Sequence, residues 1–108
     1  GAVPVAAFSY LGFDAVSTKD GLEAQERLTS GLQPCLILMN LNLARMKAHT
    51  FREWQRRQPE LHHIPVVVLS GGGLPEEVRD ELQAAGYLSK PINFAALRAL
   101  LTQYCPAE

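Results

Sequence analysis

Three short apolar runs divide the chain. Cys35-Leu36-Ile37-Leu38-Met39 is the first. Val66-Val67-Val68-Leu69, led by Pro65, is the second, and the weaker Tyr87-Leu88 is the third. None alternates apolar with polar residues. Continuous runs of this length fit strands covered on both faces, as in a parallel sheet. Ala15-Val16-Ser17 is read as a further short strand nearer an edge.

Helical spacing fills the intervals. Leu22, Ala24, Gln25 and Leu28 recur on one helical face, and Gly31 with Pro34 ends that helix. Phe51 and Trp54 mark an amphipathic segment that stops before Pro59. Pro75-Glu76-Glu77 opens another helix, with proline in the first turn and acids near the positive end of the dipole. Its apolar stripe is Val78, Leu82 and Ala85, and Gly86 is expected to end it. Asn93 can cap the last helix, whose inner face would be Ala96, Leu97, Leu100, Leu101 and Tyr104. Strands alternating with helices imply right-handed βαβ units and a doubly wound α/β sheet.

The N-terminal stretch is short for this plan. Val3 to Leu11 cannot hold a strand plus a crossover helix, since a parallel connection needs about a dozen residues. It reads as the end of a helix packing through Val5, Phe8 and Leu11, with a strand as the alternative. On the helical reading, residues 1–11 are a remnant and the first strand of the fold is missing from residues 1–108.

Composition narrows the class. A chain of 108 residues with 47% hydrophobic and 19% charged residues suits one globular domain. Ten basic residues against eleven acidic ones leave no electrostatic footprint for nucleic acid or an anionic membrane. No apolar run approaches the roughly 18 residues that span a bilayer, and Gly1-Ala2-Val3-Pro4 lacks the charged start of a signal peptide. The cytoplasm is the default compartment. Cys35 opens an apolar run and is expected to be a buried small hydrophobe, not half of a disulfide with the distant Cys105.

In open α/β sheets, sites form beyond the carboxyl ends of the strands. Asn40 follows the first run, Ser70 the second, and Ser89-Lys90-Pro91 the third. An amide, a hydroxyl and an ammonium would thus converge on one small pocket. Ser70 can donate to an oxygen and Lys90 supplies a point charge.

These segments, in this order and spacing, resemble the receiver domains of two-component response regulators. Leu36-Ile37-Leu38-Met39-Asn40-Leu41 is similar to the receiver strand that ends in the phosphorylated aspartate, with Asn40 in that place. Pro65 to Ser70 resembles the strand carrying a Ser/Thr that contacts the phosphoryl group. Tyr87-Leu88-Ser89-Lys90-Pro91 resembles the last strand, which implies a switch aromatic at Tyr87, the invariant lysine at Lys90 and a cis peptide before Pro91. Gly12-Phe13-Asp14-Ala15-Val16 and Asp20-Gly21 are similar to the first helix end, the second strand and its turn. The resemblance implies a flavodoxin-like receiver fold, lacking or altered in its first strand.

Several departures bear on function. A carboxylate attacks phosphorus as a nucleophile, whereas a neutral carboxamide is a poor one. The family's acidic pair lies on the first strand, so without it and without Asp at position 40 nothing is expected to hold Mg²⁺, and no cofactor is expected. The loop after Asn40 has no Pro-Gly or Asp-Gly pair, and Arg45 and Lys47 make it basic. The approach to the last strand, Ala84-Ala85-Gly86-Tyr87, is about two residues shorter than is usual in the family.

Blander readings stand beside these. Lys90 is expected to hydrogen-bond Asn40 and nearby carbonyls in preference to an anion. Gly71-Gly72-Gly73 lacks the Gly-Lys-Ser/Thr ending of a P-loop and reads as a mobile switch loop. Tyr87 is expected in one fixed state. His62 and His63 are adjacent, and a strand would turn their rings to opposite sides, which argues against a metal site. Arg56-Arg57 reads as a solvated helix end, or with Arg52 as part of a basic docking surface.

The expectation is a non-enzymatic, phosphorylation-independent interaction module. By resemblance, its partners would be a histidine kinase, a phosphotransfer protein or an output domain, and residues 76–104 would form the partner or homodimer face. Two alternatives stay open: a phospho-accepting receiver with an altered site, and a small flavodoxin-like domain binding an anion or nucleotide at Ser70, residues 71–73 and Lys90.

Overall fold

A computed structural model describes residues 12–43 and 46–106. The readings made for residues 1–11 and for Arg45 lie outside the described residues. The elements, in chain order, are α1 (Gly21–Thr29), β1 (Ile37–Asn40), β2 (Asn42–Leu43), β3 (Met46–Lys47), α2 (Ala48–Arg56), β4 (Val66–Ser70), α3 (Glu76–Leu82), β5 (Gly86–Ser89) and α4 (Phe94–Tyr104). Strands β1, β4 and β5 form a parallel sheet in that order, and β2 and β3 form a separate antiparallel pair.

Among the described residues the valine run is the central strand, with β1 on one edge and β5 on the other. All five residues of β4 are buried. Its alternation divides the core. Val66 and Val68 join Leu28, Phe51, Ile64 and Leu82, so α1, α2 and α3 cover one face. Val67 lies on the opposite face, where the Cα of Gly86 comes so close to Leu100 of α4 that an added Cβ would meet its Cδ2 at 3.4 Å. Helices therefore pack on both faces, as the doubly wound reading expects. Burying a side chain such as Val or Leu contributes about 1.5–3 kcal/mol, so β4 and its neighbours dominate the stability.

Local chemistry sets the helix ends. Asp20 accepts a hydrogen bond from the Glu23 amide at 2.9 Å and caps α1. Gly21 sits against β3, where an added Cβ would stand 2.9 Å from the Met46 Cβ. Gly31, just past the helix, takes φ +113°, which glycine adopts without strain. Asn93 accepts from the amides of Ala95 and Ala96 at 2.9 and 3.1 Å, as its capping role requires. Leu97 and Leu101 of α4 are buried.

Four expectations are corrected. Ala15-Val16-Ser17 forms no strand, and Val16 is 55% exposed. A strand needs a neighbour to satisfy its backbone, and none lies beside this segment among the described residues. Helix α3 ends at Leu82, short of Gly86, because Gln83 turns left-handed at φ +48° and Gly86 is already in β5. Cys35 is exposed and bonded to Cys105, with Cα atoms 5.4 Å apart. The fold brings the start of β1 against the end of α4, a proximity that a separation of 70 residues conceals. His62 and His63 lie in the turn before β4 and not in a strand, both exposed, with rings edge to face at 6.0 Å.

Candidate functional site

Parallel pairing aligns the carboxyl ends of the three strands. Asn40 is in register with Leu69, and Ser70 with Ser89. The Leu41 amide donates to the Leu69 carbonyl and the Lys90 amide to the Ser70 carbonyl, both at 2.8 Å. Asn40, Ser70 and Lys90 therefore stand at successive strand tips on one end of the sheet.

Their side chains are not bonded to one another. The Oδ1 of Asn40 is buried and has no hydrogen-bond partner. This corrects the expectation that Lys90 would hold Asn40. A neutral amide oxygen exerts no ionic pull on the ammonium that would offset its loss of hydration. The Ser70 hydroxyl donates to the Gly72 carbonyl within its own loop. In that loop Gly71, Gly72 and Gly73 are exposed, with open space where a Cβ would stand. The Lys90–Pro91 peptide is cis.

Tyr87 is pinned at three points. Its hydroxyl donates to the Arg79 carbonyl at 2.8 Å and accepts from the Ala84 amide at 3.2 Å. The Arg79 guanidinium lies 4.9 Å from the ring centroid, within cation–π range. The ring also packs against the α2–α3 core. It thereby ties β5 to the last turn of α3.

Arg56 and Arg57 are exposed, as a solvated helix end requires, whereas Arg52, read as part of a docking surface, is buried and turns inward. The Nε of Arg52 donates to the Leu82 carbonyl and its Nη2 to the Gln83 carbonyl, both at 2.9 Å. Its Nη1 donates to the Gln55 Oε1 at 2.7 Å. Gln55, fully buried, passes the network on by donating to the carbonyls of Leu61 and Ile64, each at 2.9 Å. Arg56 Nη2 donates to the Glu81 and Leu82 carbonyls at 3.1 and 2.9 Å. These donors satisfy carbonyls that the short helix α3 leaves open at its end. Burial pulls the Arg52 guanidinium below its usual range, and the nearby charge of Arg56 adds to the effect.

A comparison with protein-family models finds no match. Known proteins are more informative. The polar-differentiation response regulator DivK of Brucella anthropi is 31% identical over 85 residues, which cover 76% of this chain and 68% of DivK. The chain belongs to the response-regulator receiver family. Solved receivers agree with it in fold. The receiver domain of a Pseudomonas aeruginosa sensor histidine kinase, solved with magnesium in its active-site cleft, has a TM-score of 0.78 at 25% identity, covering 94% of this chain and 84% of that one. The signal receiver domain of a Syntrophus aciditrophicus histidine kinase gives 0.76 at 25% identity, with 92% and 76% covered.

Among the described residues the strand tip fits a magnesium ion poorly. Such an ion is usually held through one or two carboxylates, and Asn40 offers only a neutral amide oxygen. Among the described residues no group of three or more His, Cys, Asp or Glu side chains could hold a metal. No helix among them is long and apolar enough to cross a membrane.

Proposed function

We infer that this receiver acts in two-component signalling as an interaction module whose binding does not depend on phosphorylation. Asn40 carries the reading. It occupies the strand tip beside Ser70 and Lys90, and its side chain has no anionic oxygen to attack phosphorus or share a metal. Ser70, Tyr87, Lys90 and Pro91 then keep the positions of a phosphoryl-responsive switch without the trigger. The pinned Tyr87 supports a domain held in one state, since its hydroxyl and ring are both engaged.

On this reading the domain is not catalytic, residues 1–108 act as one domain, and the partner is a protein: a histidine kinase, a phosphotransfer protein or an output domain. Residues 76–104 form the candidate face, for a partner or for a second copy. A cytoplasmic setting follows from such partners.

The test uses amide spectra of the chain with and without Mg²⁺ and beryllofluoride, an analogue of the acyl-phosphate group. Unchanged resonances at Ser70, Tyr87 and Lys90 are expected. Saturable shifts at all three would overturn the reading and favour a receiver with an altered but working site. Shifts with inorganic phosphate alone, confined to residues 70–73 and Lys90, would favour the anion-binding alternative.

A further inference from the structure

The one disulfide joins the ends of two elements. Cys35 stands just before β1, and Cys105 caps the end of α4. Among the described residues, the buried cluster around β4 includes neither cysteine. The last turn of α4 has little else to meet its carbonyls: no basic side chain lies in it, and no glycine follows it. Thr102 and Gln103 are exposed, and Tyr104 is half-buried. Leu101 is buried one turn before Cys105, so packing holds the helix at Leu101 and the disulfide holds it at Cys105. A helix end that is not tied down frays. Cys35 is exposed, and exposed disulfides are the ones that thiols open readily. The sequence holds no third cysteine, so within the chain an opened bond can close only on itself.

We propose that Cys35–Cys105 is a redox latch, opened by a dithiol reductant and closed by a disulfide oxidant, that releases the last turn of α4 and leaves the β4 core folded. The chemistry is thiol–disulfide exchange. A thiolate of the reductant attacks the exposed Cys35 sulfur and forms a mixed disulfide, while the Cys105 sulfur leaves as a thiolate and is protonated. The reductant's second thiolate then attacks its own sulfur in the mixed disulfide. Cys35 leaves and is protonated, and the reductant departs as a disulfide. In sum the dithiol hands two electrons and two protons to the bond, and a disulfide oxidant takes them back by the same steps in reverse. In the open state residues 102–105 lose the anchor at their end. Val67 and Val68 are fully buried and keep their pairing with β1 and β5. Residues 94–104 belong to the candidate partner face, so the latch couples that face to redox state. This consequence rests on the function proposed above, whereas the latch itself does not.

The test uses the full chain without denaturant, dithiothreitol to open the bond and oxidised glutathione to close it. Free thiols are counted, and amide spectra and hydrogen exchange follow the helix. Opening should release two thiols and shift the amide resonances of residues 102–105. Their exchange should speed up by about tenfold or more relative to that of Val67 and Val68, whose resonances should stay in place. Oxidised glutathione should restore the starting state. The double variant Cys35→Ser, Cys105→Ser should match the open chain with no reductant present. Should that variant fold poorly, the reduced unmutated chain carries the test alone. A bond that resists dithiothreitol in the folded chain would overturn the proposal. So would an open bond with the relative exchange of residues 102–105 unchanged, or a double variant that matches the closed chain. Loss of the Val67 and Val68 resonances on opening would make the bond a staple for the whole fold and overturn the latch as well.

Discussion

Reducing the Cys35–Cys105 bond should be the largest single destabilisation available without mutation. The bond ties the first residues of β1 to the end of α4 and closes a loop with a sequence separation of 70. In the chain-entropy account, releasing a loop of that length frees the unfolded state by about 4.4 kcal/mol. Domains of this size are stable by about 5–15 kcal/mol, so the loss is a large share of the total. Among the described residues β1 pairs with β4 alone, so the bond is a main tether at its start. Cys35 is exposed, so reductant can reach the bond without unfolding. The assay is urea denaturation with and without reductant, with free thiols counted at each end. The midpoint should fall by about 2–4 M at a typical slope of 1–2 kcal/mol per molar urea, or the reduced chain should already be partly unfolded. An unchanged midpoint, with two thiols counted in the reduced protein, would refute the reasoning. It would mean that β1 and α4 are held by packing alone.

Three other substitutions test the packing around the site. Arg52→Met leaves the Gln83 carbonyl and the Gln55 amide oxygen without their donor and the Leu82 carbonyl with Arg56 alone, and should cost about 2–4 kcal/mol in urea denaturation. Gly21→Ala brings a Cβ within 2.9 Å of Met46 and should lower the melting temperature, whereas a rise would mean that the β2–β3 pair yields freely. Asn93→Ala removes the acceptor for two amides and should cost about 1 kcal/mol, with faster hydrogen exchange at Ala95 and Ala96.

The sequence carried the parts of this receiver that depend on local pattern. A run with apolar residues at every position, such as 66–69, has no exposed face to satisfy, and it became the buried central strand. Asp20 and Asn93 revealed helix starts because capping is a matter of three or four residues. The strand tips Asn40, Ser70 and Lys90 followed from the rule that places sites at carboxyl ends. What escaped was set by distant partners. Ala15-Val16-Ser17 has strand composition, but a ladder needs a neighbour. Cys35 and Cys105 meet only because α4 returns across the sheet to the foot of β1.

Arg52 was misread for a similar reason. It looks like part of any charged helix face until α3 ends nearby with open carbonyls. One signal was available: the helix over 76–82 has no glycine just beyond its last turn, so its carbonyls needed donors from elsewhere. Gln55, polar in the middle of an amphipathic helix beside Phe51 and Trp54, marked where such donors could be relayed inward.

The central claim is that position 40 cannot take a phosphoryl group. Intact-mass measurement of the chain after incubation with acetyl phosphate and Mg²⁺ tests it most directly. The spectrum should show the unmodified mass alone. An adduct of one phosphoryl group, lost in mild alkali as an acyl phosphate is, would contradict the account.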